Sequence, residues 1–275
     1  VITGCTVTAD LSVSGGEVAA GAIAGVNWRG TIENSRASGR VTNAGGNTTG
    51  GIAGQNCSLI KNCYADVTVT ADVGQDWWSW VGTGGITGFN VGRIENSYST
   101  GAVNGFIAGG IAGTNTHHVE TGVDSSGIIS NCYAAGAVTS SGTGAWYSAG
   151  GIAGIHANDP ASSTISISNC VALNTSVTSS VSSSYTRRML GRNVASGALA
   201  NNWGLATGMT ITAYGGAVTP SLNTTTGVDG ADFTNSGQAS WSAAAGTGPA
   251  FAFGTSDAAP WVWDSVNGRP KLYWE

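Results

Sequence analysis

Two short phrases recur along this chain of 275 residues, and they restrict its fold more than any other feature of the sequence. The first phrase is GGIAG or a close variant, and its copies begin at Gly21, Gly50, Gly84, Gly109 and Gly150, with a degraded copy at Leu190. The second phrase is similar to IENS, and subtracting the positions Ile32, Ile60, Ile94, Ile129, Ile167 and Leu199 gives spacings of 28, 34, 35, 38 and 32 residues. A constant core with insertions of unequal length is typical of a solenoid, whose coils bury their apolar faces only against one another.

The residues within each repeat alternate with a period of two. In IENSYSTGAV, from Ile94 to Val103, this alternation favours strands over helices. Strands of successive coils would stack about 4.8 Å apart, so that equivalent residues form columns along the axis. The sequence therefore predicts an all-β solenoid with one coil per repeat.

Four such columns follow from the alignment of the repeats. Two are aliphatic and predict the core: Ile23, Ile52, Ile86, Ile111, Ile152 and Leu190, and Ile2, Ile32, Ile60, Ile94, Ile129, Ile167 and Leu199. A third column is small and suits a cramped interior: Cys5, Ser35, Cys63, Ser97, Cys132, Cys170 and Asn202. The fourth predicts a structural ladder of hydrogen-bonded amides: Asn34, Asn62, Asn96, Asn131, Asn169 and Asn201.

The phrase GGIAG followed by IKNCYADVTV, IENSYSTGAV or ISNCYAAGAV resembles the GLUG repeat of large bacterial surface proteins. These include some adhesins and the non-catalytic part of certain IgA-cleaving metallopeptidases. The closing segment, DGADFTNSGQASW to WVWDSVNGRPKLYWE, is similar to the tail that follows the last repeat in that family. The resemblance implies a right-handed parallel β-helix on an exported protein, at the cell surface or in the extracellular space. Asp66 and Val67 depart from the repeat, and the copy at 190–192 is poor, which predicts an irregular last coil.

The chain divides into two predicted regions. Residues 1–208 carry the repeats and predict a β-helix of about six to seven coils. Residues 209–275 predict a C-terminal cap folded over the last coil, because solenoid ends need cover and this segment is rich in aromatic residues: Trp241, Phe251, Phe253, Trp261, Trp263, Tyr273 and Trp274. The columns already run at Ile2 and Cys5, so we expect missing coils before Val1 and a longer parent polypeptide.

Composition excludes several classes of function. Only 9% of the residues are charged and the net charge is -5, which argues against nucleic-acid binding. No apolar run reaches the roughly 20 residues that a membrane span needs. Four of the five cysteines lie in the small column, which favours buried free thiols, although a Cys57–Cys63 or Cys132–Cys170 disulfide stays open.

The sequence offers little that points to catalysis, and we expect no cofactor and no metal. The histidines His117, His118 and His156 form no HExxH motif. They do lie near acidic residues in two insertions, a polar cluster that could bind a metal or act as acid and base: Glu120, Asp124 and Asp159. The alternative to a non-catalytic module is therefore a β-helix lyase or hydrolase acting on polysaccharide. Charged residues are few, and Arg187 and Arg188 are distant in sequence from Asp72 and Asp76, so the module is favoured.

Aromatic residues concentrate in three insertions at the same position of consecutive coils. The candidate ligand-binding residues are Trp77, Trp78, Trp80, Phe106, Trp146 and Tyr147. Rings next to polar side chains suit glycan stacking or contacts with a host or cell-surface protein, although they could also form a local core over the coil edge. We expect a rod-like module that displays these loops for adhesion.

Overall fold

The computed structural model describes residues 1–16, 18–72, 81–117, 126–142, 146–157, 165–180, 185–194 and 197–275. Each repeat forms one coil, and in these residues equivalent strands of successive coils pair in parallel to build four sheets. We call these sheets A to D, in the order in which the chain passes through them within one coil. The predicted parallel β-helix is thus confirmed. Trp77, Trp78 and Trp80 lie outside the described residues.

The first three coils have one strand in each sheet. Their strands are β1 (Ile2–Thr3), β2 (Thr6–Ser14), β3 (Ala19–Gly21), β4 (Ala24–Asn27), β5 (Thr31–Glu33), β6 (Arg36–Ala44), β7 (Thr48–Gly50), β8 (Ala53–Asn56), β9 (Leu59–Lys61), β10 (Tyr64–Asp72), β11 (Gly82–Gly84) and β12 (Thr87–Asn90).

In the next coils the sheet B strand is divided into two. These strands are β13 (Arg93–Glu95), β14 (Tyr98–Ser99), β15 (Val103–Gly105), β16 (Ile107–Gly109), β17 (Ala112–Thr116), β18 (Ile128–Ser130), β19 (Tyr133–Ala134), β20 (Val138–Ser140), β21 (Ser148–Gly150), β22 (Ala153–Ala157), β23 (Ser166–Ser168), β24 (Val171–Ala172), β25 (Ser176–Ser179), β26 (Thr186–Arg187) and β27 (Leu190–Asn193).

The C-terminal elements complete the last coil and then leave it. They are β28 (Ala198–Ala200), β29 (Trp203–Leu205), β30 (Thr210–Ala213), β31 (Gly216–Ala217), β32 (Ala231–Phe233), α1 (Gln238–Ser242), β33 (Trp261–Asp264) and β34 (Arg269–Leu272). The pairs β30–β31 and β33–β34 are antiparallel. No helix in the described residues has the length and apolar character that a membrane crossing needs.

The core is built from the aliphatic columns. In sheet A, Ile60 pairs with Ile32 on one side and with Ile94 on the other, and all three side chains are buried. Complete burial of one such side chain contributes about 1.5–3 kcal/mol. Burial of these columns therefore stabilises the stacking of the coils.

The last copy of the first phrase is shifted by one residue from the position predicted at Leu190. Leu190 pairs with Ala153, and the backbone N–H of Ile152 bonds to the carbonyl of Met189, so Met189 and not Leu190 continues the isoleucine column. The segment RRMLG thus replaces GGIAG, with Arg188 at the place of Gly151. The alignment failed because two arginines stand where the other copies have glycine or alanine.

The predicted asparagine ladder is mainly a backbone feature. All six residues have a left-handed backbone, with φ between 47° and 55°, a conformation that asparagine tolerates better than other side chains. Their side chains bond to one another only near the C-terminal end among the described hydrogen bonds. There, Nδ2 of Asn169 donates to Asn131 Oδ1 at 3.1 Å and Nδ2 of Asn201 donates to Asn169 Oδ1 at 2.8 Å.

The five cysteines are free thiols, and four of them are fully buried in the coils. In the small column, the Cys63 thiol donates to the carbonyl of Lys61 at 3.2 Å and the Cys170 thiol donates to that of Ser168 at 3.2 Å. Burial raises the pKa of Cys63 to about 12. These thiols therefore behave as small interior side chains rather than as reactive groups.

The C-terminal segment was predicted to cover the last coil of the β-helix, but in the structure it covers a side face of the β-helix as well. Only its first part covers the last coil, where β32 extends sheet B beyond β29. From Trp241 onward it lies along the outer face of sheet B, with Trp261 centred 6.1 Å from the Tyr98 ring and 5.8 Å from the Tyr133 ring. This path covers an outward-facing column of four aromatic residues and one valine, which would otherwise be exposed and which we call the outward aromatic column: Tyr64, Tyr98, Tyr133, Val171 and Trp203.

Candidate functional site

The candidate site is the aromatic edge, defined here as Phe106, Trp146 and Tyr147. Phe106 lies between β15 and β16, and Tyr147 directly precedes β21. Because β16 pairs with β21, the two rings meet and stack, with centroids 4.6 Å apart and planes 8° from parallel. Two of the sequence-predicted residues are therefore in direct contact on neighbouring coils.

Trp146 does not join this stack. Its residue is 41% exposed, and the guanidinium carbon of Arg192 lies 3.9 Å from the centroid of its ring. Arg192 also lies over the ring of Tyr185, at 4.7 Å. The indole is thus held by a cation–π contact, worth about 0.5–1 kcal/mol at an exposed site.

Tyr185 and Arg192 were missed by the sequence reasoning. Both follow from the corrected register, since Tyr185 directly precedes β26 and Arg192 pairs with Ile155 in sheet D. The shifted assignment of the last GGIAG copy concealed that these residues belong beside the aromatic edge.

The backbone around the edge is fixed by short polar contacts. The Ser140 hydroxyl donates to the carbonyl of Phe106 at 2.6 Å, and the Ser148 N–H donates to the same carbonyl at 3.2 Å. Gly142 has φ of 124° and packs against both stacked rings, so a side chain at this position would be strained and would displace them. These contacts fix the backbone at Phe106 and Ser148 and the position of the two stacked rings.

The polar cluster predicted from the sequence falls only partly within the described residues. His118, Glu120, Asp124 and Asp159 lie outside the described residues, and His117 forms a bridge to Ser126. His156 is buried inside the coil. In the described parts of the chain, no group of three His, Cys, Asp or Glu side chains could hold a metal ion.

His156 is buried because it lies at the end of a second column of hydrogen-bonded side chains. We call this column the inner amide ladder: Asn27, Asn56, Asn90, Asn115 and His156. Nδ2 of each asparagine donates to Oδ1 of the next, at 2.8, 2.8 and 2.7 Å, and Asn115 Nδ2 lies 3.1 Å from His156 Nδ1. A signal was present in the sequence, because the last glycine of every GGIAG copy is followed two residues later by Asn or His.

In the described part of the chain, several groups with shifted pKa values lie inside the coils or under the C-terminal segment. Burial raises the pKa of Tyr98 and of Tyr133, whose rings are covered by Trp261. Burial also lowers the pKa of His156 to about 4. Structural packing accounts for these shifts.

Comparison with known proteins supports the repeat and the fold. The model of the GLUG motif matches residues 16–42, and the structure places the other copies of both phrases in register with this stretch. A crystal structure of a putative immunoglobulin A1 protease from Bacteroides ovatus is similar, with a TM-score of 0.62, 21% identity, and coverage of 98% of this chain and 75% of that one. No curated protein matches the chain. The chain thus carries a GLUG motif within a β-helix that resembles this known structure.

Proposed function

We propose that the chain is a non-catalytic, rod-like module of an exported surface protein, and that its aromatic edge binds a glycan or a protein on another surface. The observation that carries the proposal is Trp146, a large apolar side chain 41% exposed at a fixed edge of a chain with few charges. Contiguous exposed apolar patches commonly mark contact sites, and here Trp146 lies next to the stacked pair of Phe106 and Tyr147 and shares Arg192 with the ring of Tyr185.

The geometry of the edge suits a flat ligand. The stacked pair of Phe106 and Tyr147 supports the backbone from which Trp146 projects. Arg192 holds the indole in place, which reduces the entropy lost when a ligand stacks on the ring. Sugar rings and aromatic or aliphatic side chains both stack on indole faces.

Two findings support the module and its location. The chain carries the GLUG motif, the repeat by which its sequence resembles large bacterial surface proteins, and its β-helix resembles a putative immunoglobulin A1 protease. Among the described residues, Tyr98, Tyr133 and His156 have shifted pKa values because they are buried in packed surroundings, whereas such groups in an enzyme commonly lie in an open cleft.

The test compares two tryptophans of similar exposure, Trp146 at 41% and Trp28 at 39%. Trp146→Ala removes the candidate ligand contact, and Trp28→Ala is the matched control, because Trp28 is 39% exposed on the first coil. Both variants and the native chain would be applied to a glycan array and to immobilised surface extracts. We expect loss of binding, of about tenfold or more in Kd, for Trp146→Ala alone.

Two results would contradict the proposal. Equal binding by all three proteins, with intact circular dichroism, would leave the aromatic edge as surface packing. Shortening of any glycan chain during incubation would instead favour the alternative, a polysaccharide-degrading enzyme.

A further inference from the structure

The inner amide ladder has a single direction, and it ends on a titratable ring. Every asparagine in it donates its Nδ2 toward the C-terminal neighbour, and each one after Asn27 accepts with Oδ1 from the preceding asparagine. Asn115 therefore presents a donor to His156 Nδ1. The ring must accept at Nδ1, which places its proton on Nε2.

Backbone carbonyls prevent the ladder from reversing. Nδ2 of Asn115 also donates to the carbonyl of Gly127 at 3.0 Å, that of Asn90 to Gly92 at 3.1 Å, and that of Asn27 to Leu59 at 3.2 Å. A flipped amide would point its oxygen at each of these carbonyls and leave both acceptors without a donor. Reversal of one amide would also force its neighbours to reverse.

His156 is a costly residue at this position. It is completely buried, and its Nε2 has no hydrogen-bond partner in the described part of the chain. A buried unpaired donor costs about 1–3 kcal/mol. An asparagine, as found at the equivalent position of the other coils, would accept from Asn115 without leaving such a ring N–H unpaired.

We propose that protonation of His156 breaks the inner amide ladder at its C-terminal end and so opens the coil there. When Nδ1 takes a proton, two donors face each other across the contact with Asn115, and the ladder has no inexpensive rearrangement. The end of β22 then separates from β17, and the coil opens locally at that corner. Neutral conditions keep the ladder closed.

Burial is the main influence on the pKa of His156. His117 follows Asn115 by two residues on the β17 side, and Arg192 precedes Asn193, the partner of His156 on β27, with its guanidinium over Trp146. Toward the other side of the ring lie Gly197 and Ile165, which carry no charge. Desolvation lowers the pKa of His156 to about 4, and no charged neighbour in the described residues contributes to this shift.

The sign of the effect follows from the direction of the shift. The folded pKa is below the ordinary value of 6.5, so the unfolded chain binds the proton first. The stability due to the neutral ring is complete above pH 6.5 and is lost as the pH falls toward 4. Over that interval the unfolding constant should rise on the order of 100-fold through this group alone.

The experiment compares the native chain with His156→Asn, which restores the amide of the other coils and removes the titration. Urea denaturation at pH values from 7 to 4 should show a steep loss of stability for the native chain and a shallower loss for the variant. His117→Asn is the matched control and should follow the native profile. Parallel profiles for the native chain and His156→Asn would overturn the proposal.

A second measurement remains decisive if His156→Asn does not fold. The ring ¹⁵N shifts of the native chain report which nitrogen carries the proton and at which pH the ring titrates. We expect one histidine with Nδ1 unprotonated at neutral pH and with a midpoint near pH 4. A proton on Nδ1 at neutral pH, or an ordinary midpoint for every histidine, would refute the mechanism.

Discussion

The side-chain carboxylate of Glu275 accepts a hydrogen bond from the hydroxyl of Tyr98, which precedes it by 177 positions, with both oxygens 2.8 Å away. The same carboxylate accepts the backbone N–H of Leu272 at 2.8 Å. Tyr98 lies in the middle of the outward aromatic column, stacked between Tyr64 and Tyr133. This contact fastens the end of the C-terminal segment to the fourth coil.

Tyr98→Phe should therefore loosen the C-terminal segment without disturbing the ring stack. Loss of a hydrogen bond to a charged group costs about 1.5–3 kcal/mol when buried, and we expect about 1 kcal/mol here because Glu275 as a residue is exposed. Tyr64→Phe is the control, since that hydroxyl makes only a 3.4 Å contact with Thr100. Equal free energies of unfolding for the two variants would show that the Glu275 contact contributes nothing.

Glu275 should also give the stability a pH dependence of its own. Although Glu275 as a whole residue is exposed, desolvation of its side-chain carboxyl raises the pKa above the ordinary value of 4.5, and the hydrogen bonds from Leu272 and Tyr98 only partly oppose this rise. The folded chain therefore holds this proton more tightly than the unfolded chain. Stability from this group is full below pH 4.5 and is lost as the pH rises through the folded pKa. Glu275→Gln should remove that loss, and urea denaturation between pH 4 and 7 measures it. A variant with the same slope as the native chain would contradict the assignment.

The sequence predicted the stacking of the coils because an aliphatic residue begins each copy of the second phrase, and such a column is expected only in a buried core. The sequence alignment put Leu190 in the isoleucine column, where the structure has Met189. The large side chain of Arg188 fits beside it because residue 204 is a glycine, and no local pattern in the sequence reveals this contact. Likewise, the sequence identified Phe106, Trp146 and Tyr147 by type and spacing but not the cation–π contact with Arg192, which depends on the register of sheet D. The asparagines were recognised for hydrogen bonding, whereas their left-handed backbone is the larger constraint.

Ile111 offers a direct test of the core column. Its side chain is completely buried between those of the neighbouring coils, so Ile111→Asp places an unpaired charge there and should cost roughly 4 kcal/mol or more. Ile111→Val removes one methyl group and should cost only about 1 kcal/mol. Thermal melting followed by circular dichroism distinguishes the two, and an unchanged melting curve for Ile111→Asp would place this residue outside the core.

The left-handed asparagines should respond to glycine according to their side-chain contacts. Asn96 has φ of 47°, so Asn96→Ala should cost about 1 kcal/mol while Asn96→Gly should be nearly neutral. Asn169 has a similar φ but bonds to both Asn131 and Asn201, so Asn169→Gly should cost about 1–2 kcal/mol. Denaturant midpoints of the three variants test this order. Equal costs for alanine and glycine at 96 would mean that the backbone conformation is not the constraint.

Arg188 closes the C-terminal end of the coil interior. It is 2% exposed, and its guanidinium donates to the carbonyl of Asp229 at 2.7 Å, to that of Gly230 at 2.6 Å and to the Asp232 carboxylate at 2.7 Å. The Asp229 carboxylate in turn accepts the backbone N–H of Arg188 at 3.2 Å. Across the interior, a Cβ on Gly204 would overlap with the Arg188 side chain, whereas the preceding coil has Gly151 opposite Ala172. Arg188 thus fits because the residue opposite it is Gly204, at the position where the preceding coil has Ala172.

We therefore predict strong coupling between positions 188 and 204. Arg188→Gly leaves a cavity and several unpaired carbonyls and should cost about 3–5 kcal/mol. Gly204→Ala in the native background forces the arginine out of place and should cost about 1–3 kcal/mol. The double variant restores the glycine–alanine pair of the preceding coil, so its cost should be smaller than the sum of the two by at least about 1 kcal/mol. A double-mutant cycle from urea denaturation measures this difference, and limited proteolysis between 206 and 228 reports whether the segment beyond the last coil has loosened. Simple additivity would show that the arginine and the glycine are independent, and that something other than this exchange of volume ends the repeat.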